Sequence, residues 1–174
     1  ADTDVVAGQG TIALEILDRM PETEQIVVPL GGGGLVSGIA FAAKHLKPSL
    51  RIVAVQAEGS PLFHRCLTEG RLVSLDSVDT IADGMACKTA EPYLFEMIRR
   101  YVDEVVVVPE TVIRRAMRTA AAYAKLVLEG SGAVALGAVM NGQVDSGLAT
   151  VVIASGGNID PAKFLAVLAE EDKS

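Results

Sequence analysis

Apolar residues in this chain form short, unbroken runs that alternate with stretches of helical spacing. The apolar runs predict strands over residues 25–30, 51–56, 104–108 and 150–154. The helical spacing predicts helices over 10–20, 35–46, 91–101, 110–128 and 131–141, and a last helix from residue 161. Unbroken apolar strands are typical of a parallel sheet buried on both faces. The pattern therefore predicts one α/β domain over residues 1–174, with an open parallel sheet and helices on both faces.

Local signals mark some of the joints between these elements. Ser131 is expected to cap the Ala-rich helix that follows it, and Asp160 is expected to cap the last helix, with Pro161 at its first position. Residues 59–88 are the least regular stretch, and their length is typical of loops that carry function.

Composition and charge exclude several classes of partner and site. A net charge of −7 argues against nucleic acid or an anionic membrane surface as partner. No apolar run approaches the roughly 20 residues that span a bilayer. Cys66 and Cys87 are the only cysteines and have no CxxC spacing, so we expect neither a disulfide framework nor a metal site. The expected location is the cytoplasm.

The first candidate for chemistry is a run of four glycines, Gly31 to Gly34, followed by Leu35. It lies between a predicted strand and a predicted helix, where bare main-chain amides can hold a phosphate. A turn that only lets helix and sheet pack closely is the alternative. The spacing fits neither a dinucleotide fingerprint nor a Walker loop. Glu58, just beyond the second strand, keeps a nicotinamide-binding domain open, since such domains place a ribose-binding acid there.

A second glycine turn, Ser155-Gly156-Gly157-Asn158, follows the last predicted strand. Ligands of open α/β sheets bind beyond the carboxyl ends of the strands, so the two turns are expected to face one crevice. Ser155 offers a hydroxyl there, and Glu129 offers a carboxylate before the Ala-rich helix. Taken singly, a serine before two glycines more often stabilises a turn, and a glutamate before a helix is more often a charged surface residue.

Six motifs in a fixed order carry a resemblance to a known family. They are Gly8-Gln9-Gly10-Thr11, Gly31-Gly32-Gly33-Gly34-Leu35 with Ser37-Gly38, Ile52-Val53-Ala54-Val55-Gln56-Ala57-Glu58, Ile81-Ala82-Asp83-Gly84, Leu128-Glu129-Gly130-Ser131-Gly132-Ala133 and Ser155-Gly156-Gly157-Asn158. With them the chain resembles the fold-type II pyridoxal-phosphate enzymes, in the threonine/serine dehydratase and serine racemase branch. Each motif alone is modest, but together they span nearly the whole chain.

The resemblance implies a cofactor, a reaction and a set of site residues. The cofactor is pyridoxal 5'-phosphate, and the reaction is a β-elimination that converts a hydroxy-amino acid to a 2-keto acid and ammonia. The tetraglycine turn is implied to hold the phosphate, Ser155 to bond the pyridine nitrogen, Glu129 to lie near the ring, and Gly84 to approach the substrate. The implied cofactor-binding residues are Gly31, Gly32, Gly33, Gly34, Leu35, Ser155, Glu129 and Gly84.

The chain also departs from the family pattern. No lysine stands in the Ser-x-Lys-x-Arg-Gly-Ala context of the family's Schiff-base lysine, so we expect no catalytic residue in this chain and no activity from it alone. The chain resembles the C-terminal portion of the large cofactor domain, with the small domain and the N-terminal segment absent. Gln56 stands where some relatives begin a divalent-cation site, so no metal is expected.

The implied partners are a small amino-acid substrate and either a second copy of the chain or the missing N-terminal portion. A non-catalytic remnant or interaction module that keeps the phosphate-binding turn is the alternative.

Overall fold

A computed structural model describes residues 2–170, and its centre is a four-stranded parallel sheet. Within that range the strands are β1 (Gln25–Pro29), β2 (Arg51–Ala57), β3 (Glu104–Val108) and β4 (Thr150–Val152). Their order across the sheet is β3-β2-β1-β4, and each neighbouring pair is parallel. The predicted open parallel sheet is confirmed.

Seven α-helices connect and cover the strands in the described range. They are α1 (Thr3–Arg19), α2 (Gly34–Leu46), α3 (Leu62–Glu69), α4 (Pro92–Tyr101), α5 (Glu110–Thr119), α6 (Gly130–Met140) and α7 (Pro161–Leu168). A 3-10 turn covers Asp83–Met85, and a π-helical turn covers Ala120–Ala124. None of the helices between residues 2 and 170 is long and apolar enough to cross a membrane.

Alternate residues of the central strands supply two separate cores. Ile26 and Val28 of β1 pack with apolar residues of α1, α2, α3 and α4 on one face. Val27 of β1 and Val53 of β2 pack with α5, α6 and α7 on the other. Each such buried aliphatic side chain contributes about 1.5–3 kcal/mol relative to exposure. The predicted placement of helices on both faces is therefore confirmed.

Two predicted helix boundaries are wrong, and one helix was not predicted. Helix α1 begins at Thr3 rather than at residue 10, because the Asp2 carboxylate accepts the Asp4 amide at 2.9 Å and caps it. Helix α3 lies inside the stretch 59–88 that showed no regular pattern. Helix α5 ends at Thr119 and a π-helical turn follows, after which Lys125 takes the left-handed backbone region (φ +58°), so the helix does not reach residue 128.

One predicted cap is wrong and one is confirmed. The N-cap position of α6 is held by Glu129, while Ser131 lies inside the helix with its hydroxyl buried and unpartnered in the described structure. The Asp160 carboxylate caps α7 by accepting the amides of Ala162 at 2.7 Å and Lys163 at 3.2 Å.

The strand order fixes where a ligand can enter. The chain passes from β1 through α2 to β2 on one side, while β4 pairs with β1 on the other. In open α/β sheets a crevice opens where neighbouring connections diverge in this way, beyond the carboxyl ends of the strands. Both glycine turns lie at that edge, after β1 and after β4.

Candidate functional site

In the glycine turn after β1, Gly33 is packed closely against other side chains. Gly33 has φ +99°, a left-handed conformation that side chains other than glycine rarely adopt. A Cβ there would lie 3.1 Å from Phe63 and 3.1 Å from Ile98. The Gly33 carbonyl accepts the Ser37 amide at 3.0 Å and so begins α2. The turn therefore depends on glycine for both its backbone angle and its packing.

The backbone amides of this turn are free to bind an anion. In residues 2–170, the amides of Gly31, Gly32 and Gly33 donate to no acceptor. Those of Gly34 and Leu35 belong to the first turn of α2, where a helix leaves its N–H groups unpaired. No side chain caps α2, and no acidic residue lies in its first turn. Free donors at the positive end of a helix suit a phosphate.

Residues 81–87, which we call the strap, cover one side of the glycine turn. A Cβ on Gly31 would lie 3.0 Å from the Gly84 carbonyl oxygen and 3.1 Å from the Met85 Cα. A Cβ on Gly32 would lie 3.8 Å from the Cys87 sulfur. The structure thus brings the predicted site residue Gly84 against the predicted phosphate turn.

Two strap residues that sequence reasoning missed also lie at the turn. Met85 is buried, and Cys87 is half-buried, with burial raising the pKa of its thiol. Their only signal in the sequence was their place in the long stretch 59–88.

The second glycine turn is held to the start of α6. The Glu129 amide donates to the Gly156 carbonyl at 3.1 Å, and the Glu129 carboxylate lies where a Cβ on Gly156 would be. A Cβ on Gly132 would overlap the carbonyl oxygens of Ser155 and Gly156. Ser155 itself is exposed, and its hydroxyl has no partner among the described residues. The predicted residues Glu129 and Ser155 therefore lie together.

The strap also touches the start of α6. A Cβ on Gly84 would lie 2.9 Å from the Ser131 hydroxyl, and one on Gly130 would lie 2.8 Å from the Ile81 carbonyl oxygen. The strap therefore lies between the two groups of predicted residues, with the glycine turn on one side and Glu129 with Ser155 on the other.

A small cavity of about 80 Å³ opens beside Glu129. Its lining residues are Ile81, Asp83, Glu129, Asn158, Ile159, Asp160 and Lys163. The Lys163 ammonium pairs with the Asp83 carboxylate at 2.6 Å, so this lysine is held at the cavity by the strap.

The other described lysines are also engaged. Lys44 pairs with Asp103 at 2.7 Å, and Lys47, Lys88 and Lys125 donate to backbone carbonyls. Lys173 lies outside the described residues.

Neither Gln56 nor Glu58 belongs to a group of potential metal ligands in the part of the chain that the structure describes. The Gln56 amide is buried, donating to the Leu30 carbonyl at 3.2 Å and accepting the His64 amide at 2.8 Å. Glu58 lies exposed beyond β2. Across residues 2–170 no three His, Cys, Asp or Glu side chains are grouped as metal ligands.

Comparisons with known proteins give one consistent family. Residues 1–156 match the family described as pyridoxal-phosphate dependent enzyme. The L-threonine ammonia-lyase of Thermotoga maritima is 43% identical over 159 residues, which are 91% of this chain and 40% of that protein. The L-threonine ammonia-lyase of Geobacter sulfurreducens is 44% identical over 170 residues, 97% of this chain and 42% of that protein. The chain thus spans less than half the length of these curated relatives.

Solved structures agree with the fold. Maize serine racemase superposes with a TM-score of 0.86 at 36% identity, over 92% of this chain and 50% of that one. The processed threonine deaminase isoform 2 of Solanum lycopersicum gives a TM-score of 0.89 at 34% identity, over 97% and 48%. These matches confirm the predicted fold class.

Proposed function

Since the chain belongs to the pyridoxal-phosphate dependent enzymes, we propose that it forms the cofactor-binding part of a threonine/serine dehydratase. The observation that carries this proposal is the set of unpaired amides at the start of α2. These donors suit the negative charge of the cofactor's phosphate, and the net-acidic chain otherwise offers little attraction for an anion.

Each site residue has a proposed part in holding the cofactor. Gly31, Gly32, Gly33, Gly34 and Leu35 bind the phosphate through their amides. Ser155 bonds the pyridine nitrogen with its free hydroxyl. Gly84, which lies against Gly31, and Glu129, which lies against Gly156, line the space for the ring and the substrate.

When bound, the cofactor withdraws electrons from the α-carbon of an amino-acid substrate and so favours loss of the α-proton. The chain tunes that effect through Ser155, because a hydroxyl, unlike a carboxylate, does little to hold the ring nitrogen protonated. Such an environment favours rapid loss of a β-hydroxyl over long-lived carbanion chemistry. The strap covers one flank of the glycine turn.

The proposed substrate is a small hydroxy-amino acid, and the products are a 2-keto acid and ammonia. The names of the relatives, L-threonine ammonia-lyases, support this choice. The described lysines are all engaged with other partners, which supports a Schiff-base lysine outside this chain. We place that lysine in the N-terminal portion of a longer or split enzyme. That portion is the proposed partner of this chain, and the complete enzyme is proposed to act alone or as a homo-oligomer.

The proposed compartment is the cytoplasm. Cys66 and Cys87 are both free thiols, as expected where glutathione keeps cysteines reduced.

The test is an intact-mass measurement of the chain after incubation with pyridoxal phosphate, with and without borohydride reduction. We expect saturable binding by absorption titration, no stoichiometric reduced adduct, and no turnover of threonine or serine. The control is Lys163→Arg, which keeps the ion pair with Asp83 but cannot form an imine.

Two outcomes would contradict the proposal. Absence of saturable binding would show that the chain by itself does not form the proposed cofactor site. One stoichiometric adduct that disappears in Lys163→Arg would place the imine-forming lysine in this chain.

A further inference from the structure

A buried serine outside the predicted site ties the strap to the end of β2. Ser60 is fully buried, and its amide donates to the Ala57 carbonyl at 3.0 Å, in the turn that follows β2. Its hydroxyl donates to the Met85 carbonyl at 2.8 Å, with the Cys87 carbonyl as a more distant acceptor at 3.4 Å. A hydroxyl has one proton to donate, so the shorter contact is the main bond.

The residues that Ser60 holds are the ones that touch the glycine turn. Met85 and its neighbour Gly84 lie against Gly31, and the Cys87 sulfur lies nearest to Gly32. The strap leaves no room for a Cβ on Gly31, so a shift of the strap would change the packing of the glycine turn. Ser60 therefore contacts the strap, and the strap in turn contacts the glycine turn.

The start of the strap has a separate anchor. The Glu110 carboxylate, at the first position of α5, accepts the Ile81 amide at 2.9 Å. Ile81 touches Gly130 rather than the glycine turn. The two anchors thus hold different parts of the strap, and Ser60 holds the part that lies against the glycine turn.

We propose that Ser60 is a positioning residue for phosphate binding: its hydroxyl fixes the Met85 carbonyl, and thereby the wall that keeps the Gly31 and Gly32 amides directed at the anion. This inference rests on the proposed function. The Met85 carbonyl also accepts the Cys87 amide at 2.7 Å, but that bond lies within the strap, so removing the Ser60 hydroxyl removes the bond that joins this carbonyl to the end of β2. Without the Ser60 bond, residues 85–87 are held less firmly against the glycine turn, and their movement disturbs the turn.

The experiment compares Ser60→Ala with Thr23→Ala in the full chain. Thr23 is equally buried, and its hydroxyl donates to the Met20 carbonyl at 2.7 Å, but it lies before β1, at the opposite end of the sheet. Both variants remove from a buried residue one hydroxyl bond to a carbonyl, although the Thr23 bond is only partly buried. The ligands are pyridoxal phosphate and inorganic phosphate, titrated separately. We expect Kd to rise about tenfold in Ser60→Ala and to stay within about twofold in Thr23→Ala.

A second readout follows the strap without any ligand. Alkylation of the Cys87 thiol should be faster in Ser60→Ala than in the unmodified chain, because a looser strap exposes the sulfur. Cys66, a buried residue of α3, serves as the internal control and should keep its rate. If Ser60→Ala does not fold, Ser60→Cys, which keeps a weaker donor of similar size, is titrated instead and should show a smaller loss of affinity in the same direction.

The outcomes separate this inference from the proposed function. If the unmodified chain binds and Ser60→Ala binds equally well, or Thr23→Ala loses as much affinity, the role of Ser60 is overturned and the proposed function stands. If the unmodified chain binds neither ligand, the proposed function fails, and with it the role in phosphate binding. An unchanged Cys87 alkylation rate would overturn the anchoring of the strap in either case.

Discussion

The Glu129 side chain occupies the space that a side chain on Gly156 would need. The Glu129 amide also donates to the Gly156 carbonyl at 3.1 Å, so the two residues are joined through both backbone and side chain. This contact fixes the second glycine turn to the start of α6, and it sets the position of a carboxylate in the proposed site.

We expect Gly156→Ala to destabilise the protein and to displace the Glu129 carboxylate. Gly142→Ala is the matched control, because Gly142 also has positive φ (+68°, against +96° for Gly156) but has no atom within 4 Å of an added Cβ. The control should lose about 1 kcal/mol from backbone strain alone. Gly156→Ala should lose about 2–3 kcal/mol, since the collision adds to the strain. Urea unfolding measures both.

A double-mutant cycle identifies the cause of that loss. In a Glu129→Ala background, Gly156→Ala should cost only about as much as Gly142→Ala, roughly 1 kcal/mol. An unchanged penalty in that background would show that the collision with Glu129 is not the reason.

We expect Gly34→Ala to weaken ligand binding without weakening the fold. A Cβ on Gly34 would meet nothing within 4 Å, so the methyl fits the free protein, yet it stands beside the amides proposed to hold the phosphate. Gly8→Ala is the control, because Gly8 is also helical, with open space around an added Cβ. Alanine in a helix favours folding by roughly 0.5–1 kcal/mol over glycine, less at a terminus, so neither variant should lose stability.

Pyridoxal phosphate titration, alongside urea unfolding, distinguishes the two. Kd should rise about tenfold or more in Gly34→Ala and remain unchanged in Gly8→Ala. Equal affinity in both variants would argue that the amides of this turn do not face the ligand.

Ser155→Ala tests the proposed bond to the ring nitrogen. Because Ser155 is exposed and its hydroxyl has no partner within residues 2–170, stability should change by less than about 0.5 kcal/mol. Affinity for pyridoxal phosphate should fall, while affinity for inorganic phosphate, which lacks the ring, should not. Parallel titrations check this, and an equal loss for both ligands would indicate a role in the turn instead.

Because the pKa of the Cys87 thiol is raised, we expect the protein to lose stability at alkaline pH. Burial raises its pKa in the folded state, so the folded protein favours the neutral thiol. That contribution is complete below the pKa of an unfolded cysteine, about 8.5, and is lost as pH rises through the higher folded-state pKa. As pH rises from about 8.5 toward the folded-state pKa, the free energy of unfolding of the unmodified chain should therefore fall more steeply than that of Cys87→Ser.

Urea unfolding of the two proteins from pH 7 to pH 10 measures the difference between them. All other groups are common to the two proteins, so their effect cancels in the difference. A difference that stays constant with pH would contradict a buried Cys87 thiol.

Where local chemistry decides structure, the sequence predicted it well. Strand β3 and the Asp160 cap of α7 follow from runs and residue types that act within a few positions. Helix α3 escaped prediction because its apolar residues Leu62, Phe63 and Cys66 are few and are stabilised by packing into a core shared with α2 and α4. Ser131 was expected as a cap because serine favours that position, but the N-cap is Glu129, two residues earlier, where Ile81 and Ala82 approach Gly130 closely.

The sequence by itself determined the family, the buried parallel sheet and the two glycine turns, because these depend on residue types at short spacing. Only the tertiary structure decided which distant residues meet: Gly31 with Gly84, Glu129 with Gly156, and Ser60 with Met85. These pairs are separated by 25 residues or more, and no local preference links their members. They form because the strand order β3-β2-β1-β4 brings the carboxyl ends of β1, β2 and β4 to one edge, where packing selects the contacts.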